Sequence, residues 1–142
     1  MDRRAINPDN LAPGLGYSQL VSVSGGRTLY ISGQVGYDEN RVPIGSEDFE
    51  AQARQAFSNL KLALAAGGAT PSDIVKLGIF VVDHNPEKLS VIRDTRNAIL
   101  GFDEDPPAST LLGVQALALP ELLIEVDAIA VVAGDPVPKQ AV

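Results

Sequence analysis

Apolar and polar residues alternate with two different periods along the chain, and the change of period predicts a mixed α+β fold. Alternation with period two is typical of half-buried strands, and short continuous apolar runs are typical of buried ones. Glycine, proline and polar clusters separate these runs. The predicted strands cover residues 17–24, 27–32, 74–82, 109–117 and 122–132, with a further short strand at 34–37. Gly25-Gly26 predicts a two-residue hairpin joining the first two strands.

Two segments show helical spacing instead. The first helix is predicted to follow Ser46 as its N-cap and to end at Gly67-Gly68. The second begins after Asn85-Pro86, an N-cap followed by a proline at the first helical position, and runs to about Leu100 before Gly101. Its predicted inward-facing residues are Leu89, Ile92 and Ile99.

These elements predict one domain over residues 1–142, with an irregular arm at 1–15 and a frayed tail at 134–142. A mixed sheet with both helices on one face is the expected arrangement. Two helices cover only one face of such a sheet, and large exposed apolar surfaces usually mark association. We therefore expect a homo-oligomer.

Composition narrows the possible functions. The net charge of −7, with scattered basic residues, disfavours a nucleic-acid partner. No cysteine and only one histidine, His84, make a structural zinc site improbable. The sequence contains no apolar run long enough to cross a membrane, and no apolar stretch follows Arg3-Arg4 as in a secretory signal. The expected protein is cytoplasmic, without a membrane partner.

The last predicted strand carries the most informative polar residues. Glu125 and Asp127 interrupt an otherwise apolar run and, two residues apart, share one face of the strand. A carboxylate among apolar neighbours is costly unless it has a partner or a task. Glu125 is therefore a candidate general acid or base; the alternative is a carboxylate held by backbone amides or by a charge at an interface. Asp127 is interpreted as structural.

Several segments together resemble the Rid family, also called YjgF or endoribonuclease L-PSP-like. The resemblance covers nearly the whole chain. It is carried by GYSQLV (16–21), LYISGQVG (29–36), QARQAFSNLKLALAAGGA (52–69), DIVKLGIFVVD (73–83) and PASTLLGVQALALPELLIEVDAIA (107–130). It implies a chorismate-mutase-like α+β fold, a homotrimer with a barrel-like core, and clefts between subunits. The best-known branch deaminates reactive imines and enamines with water, without a metal or organic cofactor.

The resemblance also implies site residues. Tyr17, Ser32, Gly33 and Glu125 match family positions, whereas Ser109 stands where an arginine clamps the substrate carboxylate, and Gly113 replaces a usual glutamate. Ser109 and Thr110 are candidate ligand-binding hydroxyls, with ordinary strand propensity as the alternative. Tyr17 could equally pack the hairpin, and Ser32-Gly33 could be a simple bulge. Arg93 and Arg96 are nearby cations, interpreted as solvated helix residues.

Three functions follow from these observations. The first is a deaminase of small imine or enamine metabolites, with the usual imino-acid activity reduced or altered because a serine hydroxyl replaces a bidentate guanidinium. The second is a non-catalytic protein that binds or senses a small metabolite on the same trimeric scaffold. The third, suggested by the family's older name, is an RNA-cleaving protein, which the acidic charge disfavours.

Overall fold

The computed structural model describes residues 1–102 and 104–134, and all but the first residue of the predicted tail at 134–142 lies outside the described residues. In chain order the strands and helices are β1 (Asp2–Ile6), β2 (Leu20–Ser24), β3 (Arg27–Val35), α1 (Phe49–Ala66), β4 (Ile74–Val82), α2 (Pro86–Leu100), β5 (Ala108–Val114) and β6 (Ile124–Val132). No described helix is both long and apolar enough to cross a membrane.

The main sheet has the strand order β3-β6-β4-β5. β6 is antiparallel to both of its neighbours, and β4 is parallel to β5, with α2 as the connection between them. Both helices pack on one face of this sheet. The core between them comprises Ala53, Ala56, Phe57, Leu60, Leu64, Leu77, Ile79, Val81, Ile92, Leu100, Ile124, Val126, Ala128 and Ala130. The predicted mixed sheet with two helices on one face is confirmed.

The opposite sheet face has no helix on it. Alternate residues of the four strands stand there, among them Tyr30, Phe80, Leu112 and Ile129, which surround a shallow hollow of about 410 Å³. The Tyr30 side chain is 81% exposed and that of Leu112 is 49% exposed. We call this surface the open sheet face.

Residues 2–6 form a strand, so the prediction of an irregular arm over 1–15 is wrong for this segment. β1 pairs antiparallel with β2, from Asp2 opposite Ser24 to Ile6 opposite Leu20. The ribbon contacts the first residue of β4, where Arg3 Nη2 donates to the Ile74 carbonyl at 3.2 Å. The partner of β1 lies far along the chain, and no turn signal joins the two strands.

The prediction that the strands on either side of Gly25-Gly26 pair with each other as a hairpin is also wrong. Both glycines have positive φ, 72° and 83°, as the turn chemistry requires. However, β2 pairs with β1 whereas β3 pairs with β6. The glycines therefore turn the chain from the ribbon into the main sheet, where Leu29 and Ile31 pack against the core.

The helix ends follow local chemistry. Asn85 caps α2 by accepting a hydrogen bond from the Lys88 N–H at 2.9 Å, and Gly101 ends it in the left-handed conformation. Both features agree with the prediction. The N-cap of α1 is Asp48, whose carboxylate accepts from the Ala51 N–H at 3.1 Å, so the prediction of Ser46 is wrong by two residues.

Candidate active site

Glu125 stands near the start of β6, on the open sheet face. The β3–β6 register shifts between Ile31 and Gln34, and Gly33 lies within this bulge. The Glu125 carboxylate occupies the space where a side chain at position 33 would begin. The absence of a side chain at Gly33 therefore leaves room for the carboxylate, which is a more specific role than that of a simple bulge.

The Glu125 carboxylate has no ion-pair partner in residues 1–102 and 104–134, where the ion pairs are Asp2–Arg4 and Glu50–Arg54. It is half-buried. Asp127 stands two residues further along the same face and lies over Gly78 of β4. The two carboxylates thus rest on different glycines in different neighbouring strands.

The position of Glu125 depends on a buried amide that the sequence analysis did not identify. Gln52 of α1 is fully buried, and its Oε1 accepts hydrogen bonds from the Leu123 and Ile124 N–H groups. Its Nε2 donates to the Glu121 carbonyl at 3.0 Å and to the Gly45 carbonyl at 3.3 Å. Gln52 therefore fixes the chain that enters β6, at the two residues directly before Glu125.

Tyr37 holds the same segment from the other side. Its hydroxyl donates to Glu121 Oε1 at 3.0 Å. Removal from water and the Glu121 acceptor both raise the pKa of Tyr37, so the hydroxyl keeps its proton and remains a donor.

A second group of predicted residues lines a cleft between α2 and β5, which we call the α2–β5 cleft. Its volume is about 210 Å³. Its polar lining residues are Tyr17, Arg93, Arg96 and Ser109. The apolar wall includes Leu89, Ile92 and Leu111. Tyr17 and Ser109 thus line the same cleft.

Ser18 joins two walls of this cleft. Its hydroxyl donates to the Pro106 carbonyl at 2.5 Å, and its N–H donates to the Pro107 carbonyl at 3.0 Å. Because Tyr17 precedes Ser18 and Ser109 follows these prolines closely, the two hydrogen bonds set the distance between the Tyr17 segment and the start of β5.

Arg96 is buried, so its interpretation as a solvated helix residue is wrong. Its side chain is 7% exposed and lines the cleft, and Arg93 beside it is half-buried. Burial lowers the pKa of Arg96, and the charge of Arg93 lowers it further. A guanidinium nevertheless stays protonated in proteins. The helical period gave a signal: position 96 lies four residues after Ile92, on the inward face of α2.

Thr110 does not share this cleft. It follows Ser109 in β5 and therefore points to the open sheet face, where its hydroxyl accepts a hydrogen bond from Lys76 Nζ at 2.7 Å. Ser32 is exposed, and its carbonyl accepts from Gln34 Nε2 at 3.1 Å. Among the residues that the structure describes, no group of three or more acidic or histidine side chains could hold a metal ion.

The predicted site residues therefore form two groups within one chain. Glu125 and Ser109 are separated by two strand spacings and three residues of register. With strands about 4.8 Å apart and a rise of about 3.3 Å per residue, their Cα atoms lie about 14 Å apart. Their side chains leave opposite faces of the sheet, so no small molecule contacts both within one chain.

Comparison with known proteins places these features in a family context. Residues 8–132 match the family model described as Endoribonuclease L-PSP. The chain is 34% identical over 127 residues to the 2-iminobutanoate/2-iminopropanoate deaminase of Dermatophagoides farinae, covering 89% of this chain and 91% of that protein. It is 36% identical over 135 residues to Protein DfrA of Myxococcus xanthus, covering 92% and 97% respectively. The crystal structure of YyfB from Yersinia pestis, described as a protein of unknown function of the conserved Rid family, matches with a TM-score of 0.86 and 45% identity. That match covers 93% of this chain and 100% of that one.

Proposed function

This chain belongs to the Rid family, whose family model is described as Endoribonuclease L-PSP, and from that membership we propose that it hydrolytically deaminates small imines or enamines. The deaminase activity named for the Dermatophagoides farinae relative supports this reaction class. We further propose that the reaction takes place between subunits of a homotrimer and uses no cofactor.

The observation that carries this proposal is the division of the site residues. Glu125 stands on the open sheet face, whereas Tyr17 and Ser109 line the α2–β5 cleft on the helix-covered side. One chain cannot bring these groups to one ligand, but a second copy seated against the first can supply Glu125 to the cleft of its neighbour. The apolar residues of the open sheet face are the surface such a copy would cover.

The chemistry needs one carboxylate that moves protons. The water oxygen attacks the imine carbon and forms a C–O bond, while the C=N π electrons move to nitrogen. Glu125 takes a proton from the water and delivers it to that nitrogen, giving a carbinolamine. The hydroxyl proton then passes through Glu125 to the amine. The C–N bond breaks, ammonia leaves with the electron pair, and the 2-oxo product forms. The carboxylate is unchanged at the end.

Ammonia release tests this function. We expect faster release when 2-iminopropanoate is generated in situ in the presence of the protein than in its absence, measured with a coupled ammonia assay. The control is heat-denatured protein with the same imine source. Equal rates with native and denatured protein, under conditions in which an active relative accelerates release, would leave the metabolite-binding alternative as the better description.

Assembly provides a separate test. Light scattering after size-exclusion chromatography at micromolar concentration should give three times the chain mass of 14.9 kDa. Leu112→Asp on the open sheet face should shift the protein to monomers, because it buries a charge in the interface. Leu62→Asp is the matched control, since Leu62 is 68% exposed on α1. A monomeric unmodified protein would contradict a site shared between subunits.

A further inference from the structure

The Arg96 guanidinium has more hydrogen-bond donors than acceptors around it. Its Nε and Nη2 both donate to the Asn97 Oδ1 at 3.3 Å, which is a long contact to a neutral acceptor. Its Nη1 has no partner among the described residues and is not one of the enclosed unpartnered atoms, so it remains accessible from the cleft. A guanidinium carries five N–H donors, and those on Nη1 are available to a ligand.

The charges around Arg96 favour an anion. Arg93 lines the same cleft, and neither guanidinium pairs with a carboxylate in residues 1–102 and 104–134. Two like charges beside each other, one of them buried, are unfavourable without a counter-charge. A carboxylate bound between them would relieve the repulsion and could accept two parallel hydrogen bonds from one guanidinium.

The fold gives Arg96 its place through a glycine far away in sequence. Gly16 has a φ of +80°, and a side chain there would begin 2.6 Å from Arg96 Nη2. The guanidinium therefore fills the space beside Gly16 and lies next to the Tyr17 backbone. The ring of Tyr17 and the Ser109 hydroxyl complete the polar lining of the cleft.

We infer that Arg96, assisted by Arg93, binds the carboxylate of the substrate, and so supplies from α2 the cation that position 109 of β5 lacks. This inference rests on the proposed function for the identity of the anion. The cleft volume of about 210 Å³ sets the size of that anion. A cleft of this small size suits a short-chain 2-imino or 2-oxo acid.

Binding of pyruvate, a 2-oxo product of the proposed reaction, tests this inference by titration calorimetry on the full chain. We expect Arg96→Gln to weaken pyruvate binding by about 10- to 100-fold, the loss of a charge-assisted hydrogen bond or two. Arg96→Lys should retain part of the affinity because it keeps the charge but not the planar fork. Pyruvamide, the neutral counterpart, should bind equally to all three proteins. Arg54→Gln, on the exposed side of α1, should behave as the unmodified protein.

Two further variants keep the test decisive. Should Arg96→Gln fail to fold by circular dichroism, Arg96→Lys and Arg93→Gln decide in its place, and both should weaken pyruvate but not pyruvamide. Ser109→Arg added to Arg96→Gln should restore pyruvate binding by returning a guanidinium to the cleft. Unchanged pyruvate affinity in the Arg96 variants, or no pyruvate binding by the unmodified protein at millimolar concentration, would overturn the inference.

Failure of the inference and failure of the proposed function give different results. Pyruvate binding that depends on Arg96, without ammonia release from 2-iminopropanoate, would keep the anion site and reject the deaminase. Ammonia release with the same kcat/KM in Arg96→Gln and in the unmodified protein would keep the deaminase and reject Arg96 as the binding residue.

Discussion

Replacing Glu125 with glutamine is expected to lower kcat for imine hydrolysis by about 10²- to 10⁴-fold, the usual contribution of a positioned general acid or base. Glutamine has nearly the same shape but cannot carry a proton between water and the imine nitrogen. The KM should change little, because the proposed anion-binding groups lie in the α2–β5 cleft. Steady-state rates of 2-oxo acid and ammonia formation measure both constants.

Two variants separate chemistry from packing in this experiment. Asp127→Asn changes the other carboxylate of the same strand face, which lies over Gly78, and should keep most of the activity. Gly33→Ala keeps Glu125 but places a methyl group where its carboxylate sits. It should therefore lower kcat nearly as much as Glu125→Gln, with little loss of thermal stability. Full activity in Gly33→Ala would contradict the seating of the carboxylate on the β3 bulge.

The largest effect on stability is expected at Gln52. Gln52→Leu keeps a similar volume but removes four hydrogen bonds to backbone groups at Gly45, Glu121, Leu123 and Ile124. Buried backbone groups left without partners cost about 1–3 kcal/mol each. Since some of them will reach water by local relaxation, we expect the free energy of unfolding to fall by about 3–5 kcal/mol. Urea denaturation followed by circular dichroism measures this change.

Gln55→Leu is the matched control for Gln52. Gln55 lies three positions further along α1, is only half-buried, and donates to the Tyr37 carbonyl and to Asn59 Oδ1. Its loss should cost about 1 kcal/mol, the net value of an ordinary hydrogen bond. Equal destabilisation by both substitutions would mean that Gln52 acts as any polar helix residue and does not fix the start of β6.

Local signals predicted those elements that local chemistry determines. The Asn85-Pro86 start and the Gly101 end of α2, and the apolar run Ile74–Val82 of β4, agree with the structure. Each depends on residues within a few positions of itself. The mixed sheet with both helices on one face followed from the order of these elements and from the number of helices available.

Local signals do not predict which distant strands pair with each other. Gly25-Gly26 predicted the correct backbone conformation but the wrong strand partner, because β3 pairs with β6, about a hundred residues away. For the same reason the sequence does not indicate the role of Gln52. Its hydrogen-bond partners in β6 and in the segment before β6 are about 70 residues distant.

The candidate site shows the same difference between what local patterns predict and what long-range contacts determine. Sequence patterns selected Tyr17, Glu125 and Ser109 through the resemblance, but not the faces of the sheet to which they belong. The interpretation of Arg96 as solvated is wrong because its guanidinium lies in space that a residue larger than Gly16 would fill, a contact between positions 80 residues apart. The helical period places it on the inward face of α2, although arginine is rarely buried without a partner.

The two hydrogen bonds of Ser18 have a consequence for selectivity. They fasten the Tyr17 segment to the start of β5, so a ligand entering the α2–β5 cleft does not have to order that segment and avoids the corresponding entropic cost. A pocket whose walls are fixed accepts ligands only up to a certain chain length. Additional methylene groups beyond the available space would have to displace Leu89 or Ile92 from a packed helix, and overpacking of that kind costs about 1–3 kcal/mol. Affinity should therefore fall steeply from short to longer 2-oxo acids, with chain length as the discriminating property.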